Sequence, residues 1–80
     1  SEISVTVKLF GAFRQYGDTV NFNAPAGCSV RIVREKIAAL LKLPSADLVN
    51  DSALALDDEI VQENTVFTRD CALAILPPVC

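Results

Sequence analysis

The 80-residue sequence predicts an α+β domain in which one β-sheet carries a single long helix across one face. Three observations carry this prediction. The chain opens with an alternating strand, a helical apolar stripe follows near its middle, and an almost wholly apolar strand comes near its end. The first and last strands are therefore expected to be neighbours in the middle of the sheet. A chain of this length makes one domain with a modest core.

The first part of the sheet is predicted to be a pair of strands. Apolar residues occupy every second position from Ile3 to Leu9, which indicates a strand with one buried face. Phe10-Gly11 breaks the alternation, and residues 12–17 are predicted to form a loop or one helical turn. Thr19–Ala24 is rich in β-forming residues and makes a plausible hairpin partner for the first strand.

The long helix is predicted over Ser29–Lys42. Ser29 is a good N-cap residue, and Pro44 is expected to fix the end because the residue before a proline is pushed out of the helical region. The apolar residues follow at spacings of three, four, three and one, which places them on one face toward a core. These residues are Val30, Val33, Ile37, Leu40 and Leu41, while Arg31, Arg34, Glu35, Lys36 and Lys42 mostly cover the other side.

Short elements are predicted to fill the next segment. Ser45–Asp51 is a connector with one helical turn capped by Ser45, and Ala53–Leu56 is a short strand. Asp57-Asp58 is predicted to turn the chain into a short returning strand at residues 59–61. Asn64–Asp70, which includes Val66 and Phe67, is expected to be a surface loop.

The last predicted strand is Cys71–Leu76. Because small or apolar residues occupy both of its faces, it is predicted to be a central strand that is covered on both sides. Pro77-Pro78 ends it abruptly, since proline lacks the backbone N–H that pairing requires.

Composition argues against several classes of function. The net charge is −3 and there is no basic cluster, so nucleic acid is not expected as a partner. No apolar stretch approaches the length of a membrane-spanning helix, and the N-terminus has no signal-peptide features. We therefore expect a cytoplasmic protein with no membrane association.

The cysteines and acidic residues do not predict a metal or catalytic site. The chain has three cysteines and no histidine, so a disulfide framework, a zinc site and a Cys–His nucleophile pair are all disfavoured. Cys28 and Cys71 are expected to be packed residues. The acidic run at residues 57–59 matches no calcium loop and is predicted to be a solvated turn.

Two segments resemble the small-subunit family of molybdopterin synthase. The ending Leu73–Cys80 is similar to the family's last strand followed by Pro-Pro-Val and one small residue, and Val7–Gly17 is similar to the first strand and turn. The order of the predicted elements agrees with the family over the whole chain. The resemblance implies a ubiquitin-like β-grasp fold, with a mixed sheet of four to five strands and parallel first and last strands. The implied division is a β-grasp domain at 1–76 and an extended tail at 77–80.

The resemblance also implies a role as a sulfur carrier for molybdenum cofactor biosynthesis, with carriers of the thiamine pathway as the second choice. In the family, a ubiquitin-activating-type enzyme uses ATP to adenylate a terminal glycine carboxylate, which then becomes a thiocarboxylate. The tail next enters the large synthase subunit. The carrier itself needs no bound cofactor and no catalytic residue. The printed sequence stops at Cys80, and we expect the encoded protein to continue to the family's Gly-Gly.

The resemblance assigns roles to two groups of residues. Pro77, Pro78, Val79 and Cys80 would form the tail that is inserted into a partner's active site. The expected partner-binding residues are Phe10, Phe13, Arg14 and Leu76. Aromatic residues also commonly plug the end of a core, and the sequence leaves both interpretations of Phe10 and Phe13 open.

Two other functions remain as alternatives. One is a ubiquitin-like interaction module without sulfur chemistry, which would share the fold but make no use of the tail. The other is a thiol or persulfide carrier that uses Cys80. The sequence shows no positive charge or helix N-terminus close to Cys80 that would lower its pKa.

Overall fold

The computed structural model describes residues 1–43 and 47–78, and its largest element is a mixed sheet with one main helix on one face. A 3₁₀ helix spans Gly11–Tyr16, and the α-helices are α1 (Val30–Leu41) and α2 (Asp47–Asn50). In chain order the strands are β1 (Glu2–Leu9), β2 (Thr19–Pro25), β3 (Cys28–Ser29), β4 (Ala53–Leu56), β5 (Glu59–Ile60), β6 (Val66–Phe67) and β7 (Cys71–Leu76).

The main sheet has the order β2-β1-β7-β4-β5. β1 runs antiparallel to β2 and parallel to β7, with a register that places Val5 opposite Cys71 and Leu9 opposite Ile75. β4 runs antiparallel to β7. The prediction that the first and last strands are parallel neighbours at the centre of the sheet is therefore confirmed.

The core lies between the sheet and α1. Alternate residues of β1 and β7 point toward the helix, where Val33 and Ile37 are completely buried. Leu40 was expected to join them, but it is 46% exposed, so that prediction is wrong. At 100° per residue Leu40 lies at the edge of the apolar stripe, whereas Leu41 lies near its centre and is buried.

The ends of α1 have identifiable causes. At the N-terminus the Ser29 hydroxyl accepts a hydrogen bond from the Ile32 amide at 3.4 Å, which confirms the predicted cap. At the C-terminus Lys42 adopts a left-handed conformation, and the Leu43 amide donates back to the Ala38 carbonyl at 3.3 Å. The predicted stop at Pro44 and cap at Ser45 lie outside the described residues.

The segment predicted to be a surface loop contains part of the core. Val66 and Phe67 form β6, which pairs antiparallel with β3 just before α1. The Phe67 side chain is only 3% exposed. A strand of two residues has no alternation to detect, so the sequence pattern does not indicate its burial.

Arg34 is also placed differently from the prediction. It was assigned to the polar side of α1, yet it is 8% exposed. Its guanidinium donates to the carbonyl oxygens of Val49 and Ser52 and to the Glu63 carboxylate, so it joins α1 to the segments that follow. Among the described residues its Nε has no hydrogen-bond partner.

β7 is covered on one face only. Leu73 and Ile75 are buried against α1, whereas Ala72 is exposed and Ala74 and Leu76 are half-buried on the opposite face. The prediction of a strand covered on both sides is therefore wrong within the described residues. The apolar character of that second face requires another explanation than burial in the core.

The described helices are all short. The longest is α1 with 12 residues, and within residues 1–43 and 47–78 no helix has the length and apolar character needed to span a membrane.

Candidate functional site

The candidate site is the end of the sheet where β7 finishes and the C-terminal segment begins. Pro77 is half-buried and Pro78 is exposed, and both follow directly from the central strand. Neither proline can donate a backbone hydrogen bond, so the ladder of the sheet stops here. Val79 and Cys80, which were assigned to the inserted tail, lie outside the described residues, and their role stays a prediction.

Pro77 rests against the turn that follows β1. A Cβ atom built on Gly11 would lie 2.5 Å from Cγ and 3.1 Å from Cδ of the Pro77 ring. Gly11 therefore has no room for a side chain while Pro77 keeps this position. The same residue has a φ of 56°, a conformation that favours glycine.

The two phenylalanines of this turn have different roles. Phe13 is completely buried within the 3₁₀ helix Gly11–Tyr16 and belongs to the core. Its expected role in binding a partner is therefore corrected: its side chain offers no surface. Phe10 is 38% exposed, so a partner can contact it.

Phe10 and Leu76 extend the outer face of the sheet. Leu9 pairs with Ile75, and both point toward the core. Phe10 follows in an extended conformation, with φ −124° and ψ 160°, so alternation places it on the outer face together with Leu76. These two predicted partner-binding residues are thus brought to the same end and face of the sheet.

Arg14 and Lys8 give this end a positive rim. The Arg14 guanidinium lies 3.4 Å from the Asp18 carboxylate, but both side chains are largely exposed, so solvent weakens the pair. A shallow depression of about 230 Å³ lies between the two cations. It is lined by Lys8, Leu9, Phe10, Arg14, Asp18 and Thr19.

An apolar strip continues from this end across the outer face, and we call it the outer strip. Leu76 pairs with Ala53, and Ala74 pairs with Ala55, which in turn pairs with Ile60. Ile60 is 60% exposed. Except for Leu76, these residues were not predicted as site residues, because the apolar pattern of β7 was attributed to burial. The outer strip consists of Ala53, Ala55, Ile60, Ala74 and Leu76.

A second depression lies at the opposite end of β7. It has a volume of about 520 Å³ and is lined by residues from Val66 to Ala72 together with Leu56 and Asp57. Its Asp70 carboxylate already accepts a hydrogen bond of 2.7 Å from the Ser4 amide. Because the C-terminal segment leaves from the other end, this depression does not belong to the candidate site.

The described thiols are poorly suited to nucleophilic chemistry. Burial raises the pKa of the Cys71 thiol, and the neighbouring Cys28 and Asp70 raise it further. A raised pKa leaves less of the reactive thiolate at neutral pH. Cys28 is buried. Within residues 1–43 and 47–78, no three acidic or cysteine side chains come together as a metal site.

The arrangement suits docking to another protein. The C-terminal segment leaves beside an exposed aromatic residue, a cationic rim and an apolar strip. Apolar residues, aromatics and arginine are the residue types that protein interfaces favour.

Comparison with solved structures gives the fold a clear assignment. A Pyrococcus furiosus protein described as molybdopterin converting factor, subunit 1, superposes with a TM-score of 0.75 and 26% identity over 96% of this chain and 99% of its own. SAMP1 from Haloferax volcanii gives 0.75 with 16% identity, covering 95% and 96%. Ubiquitin from Caldiarchaeum subterraneum gives 0.71 with 13% identity, covering 100% and 98%.

No model of a protein family and no curated sequence matches this chain, so the similarity is detected through structure. The order of strands, the single main helix and these neighbours define a ubiquitin-like β-grasp protein. Within that class the chain is similar to the molybdopterin converting factor subunit 1 from Pyrococcus furiosus, at 26% identity.

Proposed function

We propose that this protein is the small, sulfur-carrying subunit of a molybdopterin synthase, which delivers sulfur as a C-terminal thiocarboxylate for molybdenum cofactor biosynthesis. The observation that carries the proposal is the exit of the Pro77-Pro78 segment from the central strand β7. The sequence Leu73–Cys80, which resembles the family's ending, and the 26% identity with molybdopterin converting factor subunit 1 support it.

The chemistry requires only a carboxylate from this protein. The carboxylate of a terminal glycine attacks ATP, which forms an acyl-adenylate and releases pyrophosphate. Hydrosulfide then attacks the acyl carbon, displaces AMP and leaves the thiocarboxylate. The activating enzyme supplies the ATP site and the catalytic groups, so the described residues need none of them.

The surface beside the exit would hold the partners. Phe10 and Leu76 supply apolar contact next to the tail, and Arg14 and Lys8 are placed to meet acidic groups of a ubiquitin-activating-type enzyme or of the large synthase subunit. The outer strip extends the same surface along β7 and β4. Both partners need the same carboxyl end, so we expect them to bind one after the other.

Two prolines suit a segment that must reach into another protein. Proline favours the extended polyproline conformation, which adds about 3 Å of reach per residue. It also prevents the segment from pairing with an edge strand. The expected glycines would then pass a narrow channel, because they add backbone without side-chain bulk.

Intact-mass spectrometry tests the proposal directly. The 80-residue form and a form extended by Gly-Gly are incubated side by side with an activating enzyme of this family, ATP and a sulfur source. We expect only the extended form to gain AMP and then exchange one carboxyl oxygen for sulfur. Absence of both products from the extended form would contradict the proposal, as would equal modification of the two forms.

The same experiment addresses the alternatives. An interaction module without sulfur chemistry would gain neither AMP nor sulfur, whatever its ending. A thiol or persulfide carrier would gain sulfur on Cys80 rather than at the carboxyl end. Fragmentation of the modified protein locates the added sulfur and separates these outcomes.

A further inference from the structure

The contact between Gly11 and Pro77 joins two segments that are distant in the sequence. Leu9 and Ile75 are the last pair of the parallel ladder between β1 and β7. Two residues further along each strand, the ladder has ended, yet Gly11 and Pro77 are still in contact. The Pro77 ring occupies the position that a Gly11 side chain would need.

The turn that supports Pro77 is anchored to the core. Gly11 is the first residue of the 3₁₀ helix, and Phe13, two residues on, is completely buried. The Phe13 amide donates to the Phe10 carbonyl at 3.1 Å, and the Leu9 amide donates to the Asp18 carbonyl at 2.9 Å. Pro77 therefore rests on a fixed part of the domain.

We propose that Gly11 is a positioning residue, whose lack of a side chain lets Pro77 seat against the domain and so sets the direction in which the tail leaves. The consequence for sulfur transfer rests on the proposed function, but the contact between Gly11 and Pro77 does not. Each residue after Pro77 adds about 3 Å in an extended conformation, so a small change of direction here moves the carboxyl end by several ångströms.

A simpler interpretation is that Gly11 is needed only for its positive φ. Gly27 separates the two interpretations, because it also has a positive φ, of 87°, but an added Cβ would meet no atom within 4 Å. Gly27→Ala imposes strain of the same backbone type in open space. Gly11→Ala adds the collision with the Pro77 ring.

The first experiment needs no partner and uses the chain extended by Gly-Gly. Nuclear Overhauser effects between the Gly11 α-protons and the Pro77 ring are expected in the unsubstituted protein. Gly11→Ala is expected to shift the signals of Pro78 and Val79 and to leave those of Val7 and Ile37 in place, while Gly27→Ala leaves the tail signals unchanged. The proposal fails if the ring contact is absent, or if both variants affect the tail equally.

Pro77→Gly provides an independent variant should Gly11→Ala unfold the 3₁₀ helix. It removes the ring and leaves the backbone of the turn intact. We expect the same tail signals to move and the tail to become more mobile on the nanosecond timescale, as measured by ¹⁵N relaxation. An unchanged tail in a folded Pro77→Gly protein would overturn the proposal.

The second experiment measures adenylation of the same variants by the activating enzyme. Because misplacement by about 1 Å costs on the order of a hundredfold in well-oriented reactions, we expect Gly11→Ala to lower kcat/KM at least about tenfold, and Gly27→Ala to leave it nearly unchanged. In a Pro77→Gly background the added effect of Gly11→Ala should largely vanish, since no ring remains to collide with.

Additive effects in this double-mutant cycle would contradict coupling through the ring. If no form of the protein is adenylated, the proposed function fails, while the NMR comparison still decides whether Gly11 seats the tail. The two failures are therefore distinguishable.

Discussion

The guanidinium of Arg34 donates a hydrogen bond of 2.7 Å to the main-chain carbonyl of Ser52 from a buried position on α1. It also donates to the carbonyl of Val49 in α2 and, at 2.9 Å, to the carboxylate of Glu63. One side chain thus connects the main helix to α2, to the start of β4 and to the segment before β6.

Arg34→Ala is expected to lower the free energy of unfolding by roughly 1–3 kcal/mol, because it removes the buried hydrogen bonds that the guanidinium donates to the carbonyls of Val49 and Ser52. Urea denaturation measures the change. Arg31→Ala is the matched control: Arg31 lies on the same helix with its side chain 85% exposed, and we expect a change within about 0.5 kcal/mol. Equal effects of the two substitutions would refute a special role for Arg34.

Ile37→Ala is expected to cost roughly 2–5 kcal/mol, because Ile37 is completely buried and its truncation leaves a cavity in a small core. Leu40→Ala removes a side chain that is 46% exposed and should cost about 1 kcal/mol or less. Thermal and urea unfolding of the pair give the comparison. If Leu40→Ala lowers the free energy of unfolding more than Ile37→Ala does, the face of α1 that packs on the sheet is wrongly assigned.

Under the proposed function, charges placed on the surface beside the exit should weaken binding to a large synthase subunit. Phe10→Asp and Ala74→Asp are each expected to raise the Kd at least about tenfold, since each buries a carboxylate against apolar contacts. Isothermal titration calorimetry on variants of verified fold measures this. Asn23→Asp is the control, because it adds a charge at an exposed position of β2, the far edge strand.

If Asn23→Asp weakens binding as much as Ala74→Asp does, net charge rather than the outer strip determines affinity. If neither Phe10→Asp nor Ala74→Asp changes the Kd, the proposed docking surface is wrong. Phe13→Asp is not a useful probe of binding, because Phe13 is completely buried and its replacement by a charge is expected to unfold the domain.

Cys71 should react slowly with iodoacetamide. Burial, followed by the nearby Cys28 and Asp70, raises the pKa of its thiol, so less thiolate is present at pH 8 than in free cysteine. Peptide mapping of the alkylated protein gives the rate at Cys71 separately from the other thiols. A rate equal to or above that of free cysteine at the same pH would contradict this prediction.

The same shift predicts a pH dependence of stability. The folded state holds the Cys71 proton more tightly than the unfolded state, so the free energy of unfolding should fall as the pH rises above the ordinary thiol pKa of about 8.5. Cys71→Ser removes this contribution. We expect the free energy of unfolding of Cys71→Ser to fall less steeply with rising pH than that of the unsubstituted protein. An equal slope for the two proteins would contradict the prediction.

The regular elements could be predicted from sequence because their signals are local and repeated. Ile3–Leu9 alternates over a whole strand, and Ser29 combines a capping hydroxyl with the apolar stripe that follows. The positions of β1, α1, β4 and β7 were accordingly close to those observed. The parallel pairing of β1 with β7 came from the resemblance to a family rather than from these patterns.

The misassigned residues depend on contacts that no local pattern reports. Phe13 is buried because the short 3₁₀ helix that contains it packs against the core. Phe67 is buried as part of a strand of only two residues. Arg34 can be buried because carbonyl groups of α2 and of the segment before β4 accept hydrogen bonds from its guanidinium. The contact between Pro77 and Gly11 joins residues that are distant in the sequence, so no local sequence pattern predicts it.

The parallel pairing of β1 with β7 has a consequence for the order of folding. The Ser4 amide and the Asp70 carboxylate, which are in contact, lie 66 positions apart along the chain. During synthesis β1 can pair with β2 early, but its other edge stays open until β7 has been made. A chain broken off before Cys71 therefore lacks the middle of its sheet as well as its tail. Incomplete products should therefore be degraded as unfolded chains.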